Sequence, residues 1–209
     1  DGRTTMEIPS KEYLQVLLTS AHQKFKDYER LELDTTTFEI TYIPTKKRNF
    51  MGLKDGISGL VEMRKYKVKE SATIRSNSMY YHKIYKAEGK VIKVDSFVAG
   101  HERLDVSYSA YYEGNYRYLF PYTKFGTKSW TYIIVTHCKN GKVFEEYMVS
   151  GNQIVYEKYD YTKEGIVNYY YINYVPTGTY PVLAEENGHY LIDTLEYVQE
   201  QSSVWYQEE

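Results

Sequence analysis

The residues of this chain that can do chemistry are one cysteine, five histidines and a scatter of carboxylates. Cys138 directly follows His137. A thiol nucleophile needs a base within hydrogen-bond reach. Residues 129–138, "SWTYIIVTHC", read as a strand, and consecutive strand residues face opposite sides, so the two cannot form a dyad. Cys138 is read as a small strand-end residue. The histidines at 22, 82, 101, 137 and 189 include no pair at metal-ligand spacing. "HERLD" (101–105) starts like a zinc-protease motif, but Asp105 stands where the second histidine belongs. On a strand, His101, Arg103 and Asp105 share one face, which is the pattern of a surface ion-pair cluster. Asp95, Asp105, Glu113 and Asp160 are available for a glycosidase-type carboxylate pair, and spacing selects no two of them. No Gly-x-Ser-x-Gly, phosphate loop or dinucleotide fingerprint occurs. The expectation is therefore a protein that is not an enzyme, with no cofactor and no metal.

Charge narrows the partners. A formal net charge of −2 and a pI near 6.3 give no electrostatic case for nucleic acid or an anionic membrane. The basic stretch "TKKRNF" (45–50) is read as a solvated loop. No segment is apolar for 18 residues, so no integral membrane helix is expected. A lone cysteine cannot form an internal disulfide and fits the cytosol or a bacterial envelope. The chain starts at Asp1 with a polar lead-in, which suits a boundary left by a removed signal peptide or lipid anchor, or a piece of a longer protein. No Asn-x-Ser/Thr sequon is present, which favours a bacterial source. The expected location is the bacterial periplasm or cell surface.

Tyrosine is the compositional oddity: 26 residues, against 7 Phe and 2 Trp. It suits half-buried pleated surfaces, and it also suits binding faces that need a rigid ring with a polar tip. The elements that carry these rings are legible. Ser10 is a plausible N-cap, and Leu14, Leu17, Leu18, Ala21 and Phe25 follow at helical spacing, giving a helix over 10–27 with one face to bury. Beyond it the chain reads as strands to the end, including "GLVEMRKYKV" (59–68), "HYLIDTLEYV" (189–198) and a four-stranded meander over 129–175. Asn140-Gly141 and Gly151-Asn152 are hairpin turns by type, and 162–165 is read as a four-residue loop.

These turns fix a register. One face of the meander then carries the row Ile134, Tyr147, Tyr156, Tyr171, with Glu145 opposite Lys158 and Lys158 opposite Tyr169. The same register sets Glu146 against Glu157, an unfavourable pair. Either the helix covers this amphipathic tyrosine face or the face lines a groove. Tyr147, Tyr156, Tyr169 and Tyr171 are the candidate ligand-binding residues.

The order of one amphipathic N-terminal helix, "SKEYLQVLLTSAHQKFKDYERLELDTTTFEITYI" (10–43), followed by a long run of strands resembles bacterial periplasmic proteins of the lipoprotein-carrier type. That resemblance implies an incomplete barrel with a helix on its concave side and acyl chains bound between them. The chain departs from the pattern in showing no clear second helix and in placing tyrosine where aliphatic residues line an acyl cavity. The fold expected is mainly β: a single domain over 1–209, built as a large curved antiparallel sheet or open barrel of about nine to eleven strands with one N-terminal helix packed on it, or else a two-sheet sandwich. The function expected is non-enzymatic binding of a lipid or other hydrophobic ligand, with a glycan-binding or protein-interaction module as alternatives.

Overall fold

The computed structural model describes residues 6–45, 49–74, 80–98, 103–176 and 183–204. Its long helix, α1, spans Lys11–Asp27. The Ser10 hydroxyl accepts the Tyr13 amide at 3.1 Å, satisfying one of the orphan donors of the first turn. Lys24 and Lys26 in the last turn suit the negative end of the helix dipole. Leu14, Leu17, Leu18 and Ala21 are buried in one stripe, as the spacing predicts.

Eleven strands follow: β1 (Glu39–Thr45), β2 (Tyr80–Ala87), β3 (Lys90–Val98), β4 (Arg103–Glu113), β5 (Tyr116–Tyr122), β6 (Ile133–Lys139), β7 (Lys142–Ser150), β8 (Gln153–Lys163), β9 (Ile166–Tyr174), β10 (Leu183–Leu191) and β11 (Tyr197–Val204). They form one antiparallel sheet in sequence order, with β1 and β11 as its edges. The sheet is open and single, so the sandwich alternative falls away. The hairpin turns sit at the residues that favour them. Asn140 and Gly141 both have positive φ, as a type I′ turn demands, and Gly151 has φ near +54.

Two sequence expectations are overturned: 189–198, read as one strand, is the end of β10, a turn and the start of β11, and Ile57–Lys65 is a second helix, α2, overlapping the stretch 59–68 read as a strand. Its residues alternate in polarity, yet Leu, Met, Glu, Arg and Lys are good helix formers. Ile57 and Val61, four apart, turn the same way and pack against the sheet cluster of Tyr159, Val167, Tyr169 and Tyr190.

The meander register is right in part. Tyr147 opposes Tyr156, Glu145 opposes Lys158, and Glu146 opposes Glu157. Two bulges move the rest by one residue. In β7, Val143 pairs with Cys138 and Glu145 with His137, so Phe144 is an extra residue and Tyr147 faces Val135 rather than Ile134. In β8 the ladder shifts between Asp160 and Lys163, which shortens the expected four-residue loop to the turn Glu164-Gly165. Tyr156 consequently faces Ile172, and Tyr171 faces Glu157. The tyrosines of β9 are thus divided between the two faces. Tyr170 and Tyr174 join the core under α1, while Tyr169 and Tyr171 join the core under α2.

Candidate functional site

Glu145 lies under α1 with no exposed surface. The hydroxyl of Tyr13, on α1, donates to both its carboxylate oxygens at 2.8 and 2.9 Å. The Tyr156 hydroxyl donates to Oε2 at 2.6 Å, and His137 Nδ1 donates to Oε1 at 3.0 Å. Tyr116 stacks on the His137 ring with centroids 4.0 Å apart. A carboxylate with three donors of this kind is a satisfied buried anchor. Tyr147 and Tyr156, two of the residues selected from sequence, are buried beside it and packed in one cluster with Leu14, Leu17 and Leu18. Burial, with the Glu145 charge adding to it, pushes the Tyr156 phenol up. The helix side chains occupy the tyrosine face.

Tyr169 and Tyr171 lie on the opposite face, where α2 docks. The Glu146–Glu157 opposition that looked unfavourable in sequence is resolved there. Glu146 accepts the backbone amides of Asp55 and Gly56 at 2.9 Å each, together with the Thr136 hydroxyl. It thereby holds the amides of Gly56, the N-cap residue of α2, and of Asp55 before it, while the Tyr159 hydroxyl accepts the Ser58 amide at 3.1 Å, the donor that an N-cap side chain would otherwise take. Burial raises the Glu146 carboxyl above its ordinary value, against the opposing pull of Thr136 and Arg117. Glu157 takes the other ligands: Lys54 Nζ at 2.8 Å, and the hydroxyls of Ser58 and Tyr169 at 2.6 Å each. Burial works against the Lys54 charge, but Glu157 outweighs it and the ammonium is held above its usual range.

The four carboxylates singled out from sequence do not come together as a pair. Asp95 accepts from Ser107 at 2.7 Å, and Glu113 pairs with Lys24 of α1 at 2.8 Å. Asp105 lies in a bulge of β4 and Asp160 on β8 opposite Asn168, and His101 lies outside the described residues. His137 and Cys138 face opposite sides, as expected: the histidine meets Glu145 and the cysteine packs with the core under α2. Glu145, Glu146 and Glu157, which sequence reasoning did not select, are the buried carboxylates of the meander. Their one signal was the forced Glu146–Glu157 opposition, because like charges set face to face in a strand pair require a third party.

An open aromatic surface lies elsewhere, on the loop between β5 and β6. Trp130 is 94% exposed and Phe125 is 81% exposed. Residues 129–132 read as the start of a strand, but β6 begins only at Ile133, which leaves Trp130 on the loop. Behind the indole is a cleft of about 260 Å³ lined by Phe25 and Ile133, with His22, Lys128, Ser129 and Thr131 as its polar groups. The end of α1 fixes its geometry. His22 Nε2 donates to the Gly151 carbonyl at 2.6 Å, and Lys128 Nζ donates to the carbonyls of Phe25 and Lys26. Phe25 stacks on Phe120 at 5.3 Å, so the floor of the cleft is part of the core. An apolar wall, one exposed flat ring and several hydroxyl and nitrogen donors suit a ligand with a flat apolar face and a polar edge. No helix among the described residues is long and apolar enough to cross a membrane. Among the described residues no group of three or more His, Cys, Asp or Glu is placed to hold a metal ion. In comparison with known proteins, the chain matches no family model, no curated protein and no solved structure.

Proposed function

We propose that this is a non-enzymatic binding protein that recognises a glycan through the cleft beside Trp130. The observation that carries the reading is the nearly fully exposed indole next to a pocket mixing Phe25 and Ile133 with His22, Ser129 and Thr131. A pyranose has a C–H face that stacks on an aromatic ring and hydroxyls that take the polar groups around it. A single exposed apolar side chain is ordinary on a protein surface, so what supports the reading is the exposed indole together with the adjoining cleft and its polar groups. Glycan recognition goes with a bacterial cell-surface or periplasmic location.

The test is retention on insoluble polysaccharides and a glycan array, with the whole chain and its Trp130→Ala variant. Intrinsic fluorescence in a Trp205→Phe background, where Trp130 is the only indole, follows the same binding in solution. The expected result is a retained glycan, quenched or shifted Trp130 emission, and loss of at least about tenfold in affinity in Trp130→Ala at unchanged melting temperature. No retained glycan, or equal retention by the variant, overturns the reading.

A second reading, a hydrophobic ligand beneath α1 against Tyr147 and Tyr156, has one observation in its favour. Polar contacts at the two ends of α1, Tyr13 to Glu145 and Lys24 to Glu113, help hold it, and these can open without breaking a strand pair. Native mass spectrometry followed by solvent extraction separates the two: a released lipid supports this second reading, and a clean mass with glycan retention supports the first.

A further inference from the structure

The cleft beside Trp130 carries a positive charge that its lining does not offset. Residues 122–128 close into a short hairpin. Tyr122 pairs with Lys128, the Thr123 amide donates to the Thr127 carbonyl at 2.8 Å, and the two threonine hydroxyls meet at 2.7 Å. Beyond it the Ser129 amide donates to the Pro121 carbonyl at 3.1 Å, and the Ser150 hydroxyl donates to the Trp130 carbonyl at 3.2 Å. The backbone is therefore pinned along the whole segment that presents Lys128 and the indole. A ligand that meets groups already in place loses less to ordering them.

The hairpin delivers Lys128 to the end of α1. Its ammonium lies 4.9 Å from the centre of the Phe25 ring and donates to the carbonyls of Phe25 and Lys26, the latter at 2.7 Å. These partners orient the ammonium, but neither a carbonyl nor a ring carries a net charge. Three N–H groups set against two carbonyls leave one donor over. No Asp or Glu lines the cleft among the described residues. Asp27, the acid of the last turn of α1, accepts from Gln23 at 2.9 Å through both oxygens and is not part of the lining. The loop itself, "PYTKFGTKSWTYI" (121–133), holds two lysines and no acid.

We infer that the glycan recognised here is acidic: a pyranose bearing a carboxylate, a uronic acid, with its C–H face on the Trp130 indole and its carboxylate paired with Lys128. The inference rests on the glycan reading proposed above and narrows it to one substrate class. The hydroxyls of a neutral sugar are donors as well as acceptors, and the strongest acceptor for them, a carboxylate side chain, is missing from this lining. A carboxylate on the sugar reverses the mismatch. It brings acceptor oxygens to Lys128 and to the Ser129 hydroxyl, and a hydrogen bond between two charged groups is stronger than one between neutral groups.

The experiment measures binding to the full chain, by calorimetry, of oligosaccharide pairs that share a backbone and differ in charge. Oligogalacturonate, oligomannuronate and hyaluronan oligosaccharides are each set beside their carboxyl-reduced neutral form. In at least one pair the acidic member is expected to bind at least about tenfold more tightly than the neutral one, with an affinity that falls as salt is added. Lys128→Gln keeps an amide donor for the α1 carbonyls and removes the charge. It is expected to abolish the preference, bringing the acidic sugar down to the level of its neutral partner. Equal binding within every pair overturns the inference and leaves the glycan reading standing. So does an acidic preference that survives in Lys128→Gln, or an equal loss of both sugars in that variant, which would mark damage to the cleft rather than loss of charge. Absence of Trp130-dependent binding by every sugar, acidic or neutral, overturns the glycan reading and this inference with it.

Discussion

Five buried acid or imidazole groups carry most of the polar argument of this fold: Glu145, Glu146, Glu157, Asp95 and His82. The carboxylates are met by several donors or by a cation, as a buried charge must be. His82 is the group whose burial leaves a pH signature. Its folded-state value lies near 4 against an ordinary 6.5, so the unfolded chain binds the proton more readily between those values. The neutral imidazole's contribution is therefore fully present above pH 6.5 and is lost as the pH falls towards 4, by at most about 3 kcal/mol. Glu146 acts with the opposite sign: its raised carboxyl favours the fold at low pH and weakens it as the pH rises through its folded value. Urea midpoints of the wild type and of His82→Gln, compared at pH 7 and pH 4.5, separate the two. The expected result is a smaller acid-side loss in His82→Gln than in the wild type. An identical loss in both would show that His82 does not titrate in this way.

At the scale of elements, the sequence was most readable where local chemistry decides. Ser10, the leucine spacing and the Asn140-Gly141 turn each point to one local structure, and α1 and the hairpins formed as expected. It was least readable where one residue changes everything. The bulges at Phe144 and between Asp160 and Lys163 leave no mark in residue type, yet each shifts the partner of every tyrosine beyond it. That is why Tyr147 and Tyr156 were correctly paired while Tyr169 and Tyr171 were assigned to the wrong face. Helix α2 was missed because nine residues with alternating polarity satisfy both periods, and its N-terminus is fixed by Glu146 and Tyr159, about ninety and about a hundred residues away. Trp130 was missed because a loop residue has no periodicity to read. The docking of α2 makes a checkable demand at Gly56. A Cβ there would lie 2.5 Å from the Tyr159 hydroxyl, which itself accepts the Ser58 amide. Gly56→Ala is therefore expected to cost about 1–3 kcal/mol by overpacking, with no helix-propensity gain to offset it because the position is an N-cap, as read from a lowered urea midpoint. Leu60→Ala, on the exposed side of the same helix, is expected to stay within about 0.5 kcal/mol. Equal effects at both positions would mean that α2 is not held against the sheet at its N-terminus.

For the molecule as a whole, an open eleven-stranded sheet has two edges, each a template for another strand. Both are blunted. On β11 the ladder shifts between Asn187 and Gly188, making Glu200 the extra residue of a bulge, and Glu200 is paired with His189 at 2.8 Å. On β1, Tyr42 exchanges both backbone hydrogen bonds with Ser71, at 2.8 and 2.9 Å, so its polar groups point away from β2. Strand periodicity gives Pro44 the same outward orientation, and proline has no N–H to offer there. These devices argue against strand addition as the function and favour recognition through side chains, as at Trp130. They also yield a prediction at this scale. Pro44→Thr restores an outward donor to the edge without touching the core. It is expected to leave the melting temperature within a few degrees of wild type while raising concentration-dependent self-association, measured by light scattering coupled to size exclusion. Self-association equal to wild type at every concentration would show that the Ser71 bridge alone is enough to guard the edge.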